Sequence, residues 1–87
     1  MYNEIHANHV LHKKLPDLGD RHRQIIVIEL TQFQVRIFEG DVILLSSQIV
    51  TGVHGSELQF HVDLGSALRQ ANYELEASLA SGWTLYP

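Results

Sequence analysis

Hydrophobic residues between positions 24 and 52 follow the period of β-strands, and they are too numerous for a single buried face. Residues 24–30 and 41–45 carry aliphatic side chains at consecutive positions, which point to opposite faces of a pleated strand. Residues 31–39 between them alternate, with three apolar residues on one face: Phe33, Val35 and Ile37. Strands that are apolar on both faces need cover on both faces. The pattern therefore predicts a sheet with a surplus of apolar surface.

A helix is predicted after the strands, because apolar residues recur at helical spacing. The predicted apolar stripe consists of Leu64, Leu68, Ala71, Leu75 and Leu79. Asp63 or Ser66 can cap its first turn, and Gly82 is placed to end it. Residues 57–62 and 83–86 have strand composition on either side. The predicted fold class is α+β: an antiparallel sheet of four to five strands in the order β-β-β-β-α-β, with one amphipathic helix on one face, a two-layer sandwich.

Turn residues divide the chain near its N-terminus. Pro16 and Gly19 predict a turn between a polar segment, residues 1–20, and a single α+β domain, residues 21–87. The N-terminal segment is expected to be mobile or to form a short helix. Within the domain, Gly40 predicts a hairpin turn between residues 31–39 and 41–45. Residues 51–56 are expected to form a loop.

Composition narrows the classes of protein that the chain can belong to. It has no cysteine, which excludes disulfides, thiolate metal sites and a cysteine nucleophile. A cytoplasmic location is the natural expectation for such a chain. No apolar run is long enough to span a bilayer. The formal net charge of −4 makes the chain acidic, which argues against a broad phosphate-binding surface.

Basic residues are concentrated near the N-terminus. The candidate basic arm consists of Lys13, Lys14, Arg21 and Arg23. Four of the six histidines also lie within the first 24 residues, so this region becomes more positive as they protonate. A short arm of this kind could contact nucleic acid, and a nucleic-acid-binding accessory protein is the alternative function. A solvated segment without a partner is the simpler interpretation.

Candidate chemistry is sparse. His6, His9 and His12 are three residues apart, and on a helix they could bind metal in pairs. A mobile solvated arm is the simpler expectation, so no metal or other cofactor is predicted. A hydrolase would have to combine a serine with a histidine and Asp63, from Ser46, Ser47, Ser56, His54 and His61. No G-x-S-x-G elbow or P-loop accompanies these residues, and the chain is predicted not to be an enzyme.

Residues 25–52 have a run of strands and turns that ends in Thr-Gly. This stretch resembles the opening β-meander of L,D-transpeptidase catalytic domains. The resemblance covers about a third of the chain and rests on common strand and turn residues. Those enzymes act through a cysteine in a His-Gly-Cys type motif, and this chain has none. The resemblance therefore implies shared hairpin patterning, and no catalytic residue is carried over.

The surplus apolar surface leads to the functional hypothesis. The residues expected to face the helix are Phe33, Val35, Ile37, Leu58 and Phe60. The candidate apolar interaction face, on the opposite side of the sheet, consists of Ile25, Val27, Val42 and Leu44. Either the N-terminal segment folds back over that face, or a second copy or another protein covers it. The predicted function is a small non-catalytic interaction domain, either a homodimer or a regulator or inhibitor that binds a partner protein. No small-molecule ligand and no membrane is predicted as a partner.

Overall fold

A computed structural model describes the backbone of residues 4–15, 19–44 and 49–86 and the side chains of residues 4–14, 19–40 and 55–86. The chain forms β1 Glu4–Leu15, β2 Gly19–Glu29, β3 Phe33–Leu44, β4 Ile49–His61, α1 Leu64–Ala80 and β5 Thr84–Leu85. The strands form one antiparallel sheet in the order β4-β3-β2-β1-β5. The helix packs on one side of it. The predicted two-layer α+β architecture and the element order are confirmed.

The strands themselves differ from those predicted. Residues 4–15 are the first strand, paired with β2 along its length, and not a short helix. Residues 33–44 are one strand rather than two, because Gly40 lies at a bulge in the β3–β4 pairing instead of a hairpin turn. Residues 51–56, expected as a loop, belong to β4. The predicted number of strands is nevertheless correct, because the prediction missed β1 but divided β3 into two strands.

The hydrophobic core lies between α1 and one side of the sheet, which we call the helix side. Its buried residues are Leu11, Ile25, Val27, Val35, Ile37, Ala67, Ala71 and Trp83. Ile25 and Val27 are completely buried there. The prediction that these two residues point outward is wrong, because β2 lies in the middle of the sheet and the helix packs over it. Phe33, Val35 and Ile37 face the helix as predicted.

Small residues form the buried face of the helix. Ala67, Ala71 and Ser78 are buried, whereas Leu68 and Leu79, which the apolar stripe placed in the core, are 38% and 41% exposed. Small side chains let a helix approach a sheet closely, so the larger leucines lie along the flanks of the contact. Among the described residues, no helix has the length and apolar character required to cross a membrane.

Both ends of α1 are capped by the residues that the sequence indicated. The Asp63 carboxylate accepts a hydrogen bond from the Ser66 backbone N–H at 2.7 Å. At the other end Gly82 has a φ of 98°, and the N–H groups of Gly82 and Trp83 donate to the carbonyls of Leu79 and Ser78. These paired bonds form a Schellman motif, in which glycine adopts the left-handed conformation at no steric cost.

Replacing Asp63 with alanine should lower the melting temperature at neutral pH, because the Ser66 N–H loses its acceptor. That same hydrogen bond lowers the pKa of Asp63 from its ordinary value of 3.8. The ionised form therefore stabilises the fold above pH 3.8, and this contribution is lost as the pH falls through the lowered pKa. Melting curves across that range should show the difference between wild type and Asp63→Asn shrinking toward zero. Parallel curves for the two proteins would contradict this, and Asp20→Asn is the control.

Candidate interaction surface

The side of the sheet opposite the helix has no second layer in the described part of the chain. Strand register places its residues in rows across β1, β2, β3 and β4. We call this surface the open face. Its rows are Ile5, Ile28, Gln34 and Phe60; Asn8, Ile26, Arg36 and Leu58; Val10, Gln24, Phe38 and Ser56; and, at one end, His12 and His22.

Exposed apolar side chains lie along one part of the open face. Leu58 and Phe60 on the edge strand β4 are 48% and 58% exposed, and Ile5 on β1 is 59% exposed. Val10 and Ile26 in the interior strands are each only 8% exposed. The open face therefore has a filled centre and a margin of uncovered apolar groups.

Polar side chains on the open face bond mainly to one another. The Gln24 side-chain amide donates to the Asn8 side-chain oxygen at 2.8 Å. The Arg36 guanidinium donates twice to the Gln34 side-chain oxygen, at 3.0 Å and 2.8 Å. Arg36 is the one Lys, Arg, Asp or Glu residue in the rows of the open face. The surface is thus close to neutral although the chain is acidic.

A shallow cavity opens where the open face meets the edge strand. It has a volume of about 190 Å³ and is lined by Arg36, Phe38, Ser56, Glu57 and Leu58. The lining combines the apolar side chains of Phe38 and Leu58 with one cation and one anion. Such a lining suits the side chain of a protein partner.

No described residue of the predicted apolar interaction face lies on the open face. Ile25 and Val27 lie in the core, and the side chains of Val42 and Leu44 lie outside the described residues. Leu58 and Phe60 were expected in the core and are the exposed residues instead. Their pairing with Arg36 and Gln34 puts them on the side away from the helix.

The four residues of the predicted basic arm lie on paired strands. Lys13 and Lys14 belong to β1, and Arg21 and Arg23 belong to β2. Lys13 lies opposite Arg21, and Lys14 lies opposite Asp20. These cations therefore occupy one end of a β-hairpin.

Lys13 and Arg23 are among the cations engaged within the fold. The Lys13 ammonium donates to the Ser81 carbonyl at 2.9 Å, at the C-terminal end of α1. Arg23 forms an ion pair with Glu39 and donates to the Ser78 hydroxyl at 2.6 Å. Each bond occupies a donor that a phosphate would need. Nucleic-acid binding by these four residues stays a prediction. Less of their positive charge is available to a phosphate than the sequence suggested.

The serine, histidine and aspartate considered for hydrolysis do not come together among the described residues. Ser56 lies on the open face, whereas His61 lies on the helix side, opposite Phe33. Asp63 is occupied in capping the helix. The other candidates lie outside the described side chains: Ser46, Ser47 and His54.

The histidines of β1 are also dispersed. His12 lies on the open face opposite His22, and the Tyr86 ring packs against both, at centroid distances of 5.7 Å and 5.4 Å. His9 lies opposite Ile25, on the helix side. The predicted helical grouping of His6, His9 and His12 is therefore not formed.

Comparison of the chain with protein-family models, with curated proteins and with solved structures finds no match. No activity, ligand or partner is carried over from a relative. The resemblance of residues 25–52 to transpeptidase domains gains no support from these comparisons. The surfaces described above are therefore the basis for any statement about function.

Proposed function

We propose that this chain is a small non-catalytic protein-interaction domain whose open face binds a second copy of the chain. The observation that carries the proposal is the exposure of Leu58 and Phe60 on a sheet face without a second layer among the described residues. Exposed apolar groups on a continuous surface are typical of protein–protein contact sites. A cytoplasmic location, predicted from the cysteine-free composition, is part of the same proposal.

A second sheet is the natural complement of the open face. Two twisted sheets pack face to face about 10 Å apart, with side chains from both inner faces interdigitating. Two copies related by a two-fold axis would form four layers in the order α-β-β-α. Each copy would then cover the exposed apolar margin of the other, which includes Leu58 and Phe60.

The size of the open face predicts a weak dimer. The three complete rows across four strands cover a flat area of roughly 20 Å by 19 Å, from the rise of about 3.3 Å per residue and the strand spacing of about 4.8 Å. Two facing copies would cover roughly 800 Å² in total, below the 1,200 Å² or so of stable complexes. We therefore expect a reversible dimer with an affinity in the micromolar range.

Charge favours self-association through this face over other parts of the surface. Arg36 is held by Gln34 of its own chain, so the open face presents little repulsion to a copy of itself. The chain as a whole carries a formal charge of −4, so two copies repel each other at long range. Salt screens that repulsion, and dimerisation should therefore strengthen as salt is added. Nucleic-acid binding would weaken instead.

Sedimentation velocity over a concentration series tests the proposal. Wild type should shift from monomer to dimer as its concentration rises. Leu58→Lys and Phe60→Lys should each remain monomeric, because the new charge would have to be buried without a partner. Both residues are about half exposed on an edge strand, so the fold should tolerate the substitutions.

Tyr73→Lys is the matched control, since Tyr73 is 65% exposed on the outer side of the helix. It should dimerise like wild type. A wild-type protein that is monomeric up to near-millimolar concentration would overturn self-association through this face. Dimerisation that Leu58→Lys and Phe60→Lys leave unchanged would place the interface elsewhere and would also contradict the proposal.

A further inference from the structure

A β-bulge near the start of β1 sets the position of His6. Ile5 pairs with Ile28, but Ala7 pairs with Val27, so His6 is the extra residue in β1. Without the bulge, His6 would lie opposite Val27 and point into the core. The bulge gives that core position to Ala7 and moves the imidazole to the margin of the sheet. Bulges commonly re-aim a side chain in this way next to functional sites.

Two carboxylates converge on the displaced imidazole. His6 Nε2 lies 2.9 Å from a Glu29 carboxylate oxygen and 3.9 Å from a Glu4 carboxylate oxygen. One possible ligand atom from each of the three residues lies within 4.8 Å of the other two. The imidazole ring also contacts Phe33, at a centroid distance of 6.1 Å. These contacts fix the histidine while both carboxylates remain reachable from solvent.

The pairing of the two glutamates is unfavourable without a cation. Glu4 and Glu29 lie directly opposite each other on adjacent strands. Like charges at such positions destabilise a sheet. In the described part of the chain, the ion-pair contacts of both carboxylates are to the His6 imidazole. A metal cation bound between the strands would offset the repulsion between the two carboxylates.

We propose that Glu4, His6 and Glu29 bind a divalent transition-metal ion, with Zn²⁺ as the best match. One imidazole nitrogen and two carboxylate oxygens are ligands that zinc accepts. With bonds of about 2.0–2.1 Å, neighbouring ligands of tetrahedral zinc lie roughly 3.3 Å apart. The distances from His6 Nε2 to the Glu29 and Glu4 oxygens, 2.9 Å and 3.9 Å, lie on either side of that value. Small rotations of the exposed glutamate side chains would therefore bring the three ligand atoms to the separation that zinc requires. Water would fill the fourth position, and the ion would fasten the start of β1 to the end of β2.

Calorimetric titration of the untagged chain with ZnCl₂ tests this site. Wild type should bind one ion per chain. His6→Gln and Glu29→Gln should each weaken the affinity at least about tenfold, because the loss of even an outer-shell partner typically has that effect. Zinc should also raise the melting temperature of wild type more than that of either variant. Titration with Co²⁺ should give the visible absorption of a tetrahedral site in wild type and in neither of these two variants.

His9→Gln is the matched control, since it removes a nearby histidine of the same strand and leaves the three ligands intact. It should bind zinc like wild type. Far-ultraviolet circular dichroism should show that all variants are folded, because none of the substituted side chains is fully buried. Absence of saturable zinc binding in wild type would overturn the proposal. Binding that His6→Gln and Glu29→Gln leave unchanged would assign it to other histidines and would overturn it equally.

Discussion

Replacement of Trp83 by alanine should lower the free energy of unfolding by about 3–5 kcal/mol, the usual cost of removing a large buried aromatic side chain. Trp83 is 8% exposed and belongs to the core cluster that joins the helix to the sheet. It directly follows Gly82, so its side chain anchors the C-terminal end of α1. The Lys13 ammonium and the Arg23 guanidinium lie 5.9 Å and 4.9 Å from the centre of its ring. Alanine would leave a cavity and remove both cation–π contacts.

Urea denaturation followed by circular dichroism measures the effect of Trp83→Ala, since the substitution removes the only tryptophan and hence its fluorescence. Leu85→Ala is the control, because Leu85 is 56% exposed on the neighbouring strand. It should change the free energy of unfolding by less than about 0.5 kcal/mol, as is usual for surface substitutions. Equal losses for both variants would mean that Trp83 does not hold the core together.

The helix and its ends were predictable from the sequence because their signals are local. Apolar residues at helical spacing, an acidic cap at Asp63 and a glycine at Gly82 all act within a few residues of the chain. The rotation of the buried face toward Ala67 and Ser78 was not predictable in this way. It depends on how closely the helix approaches the sheet. Leu64 and Leu75 of the predicted stripe pack against the core, whereas Leu68 and Leu79 are exposed.

The first strand was missed because its side chains are mostly polar. Residues 4–15 contain three histidines and two lysines, a composition that suggests a solvated segment. The residues that hold this strand in place, Val10 and Leu11, are adjacent and point to opposite sides of the sheet. Pairing with β2 is a long-range interaction that no local pattern reports. This strand is what makes β2 central and so buries both of its faces.

The candidate interaction face shows how strongly strand register controls a surface. Ile25 and Ile26 are equally apolar, and the sequence does not indicate which of them faces the helix. Because side chains alternate, one choice of face determines the side of every residue along the strand. The exposed apolar residues on the sheet include Leu58 and Phe60, which the prediction had placed in the core. Knowledge of the β3–β4 register would have identified them.

The bulge at His6 could not be predicted for a related reason. An extra residue in one strand is defined only by its partner strand, and here the partner residues are Ile28 and Val27 of β2. The same bulge keeps Glu4, Ala7 and Leu11 on the helix side. The proposed metal ligands are therefore brought together by pairing across the sheet. Their spacing along the chain contains no recognisable motif.

Arg23 has a structural role that the basic-arm hypothesis did not include. Its side chain lies between the sheet and α1, paired with Glu39 and bonded to the buried Ser78 hydroxyl. It is also the one cation among the described residues lining a cavity of about 270 Å³ that contains three carboxylates, those of Glu39, Glu57 and Glu74. Hydrogen bonds to charged groups typically contribute about 1.5–3 kcal/mol, and several converge on this guanidinium.

Arg23→Met should therefore lower the free energy of unfolding by about 2–3 kcal/mol, because it keeps the apolar stem but removes the charge and its hydrogen bonds. Arg23→Lys should recover only part of the loss, since an ammonium cannot reproduce the planar fork that contacts Glu39 and Ser78 together. Lys14→Met is the control at an exposed position of the same hairpin and should be near neutral. Urea denaturation at equal protein concentration compares the three variants. Equal stability of Arg23→Met and Lys14→Met would contradict this structural role of Arg23. The charge of Arg23 would then be available to a partner, as the basic-arm hypothesis requires.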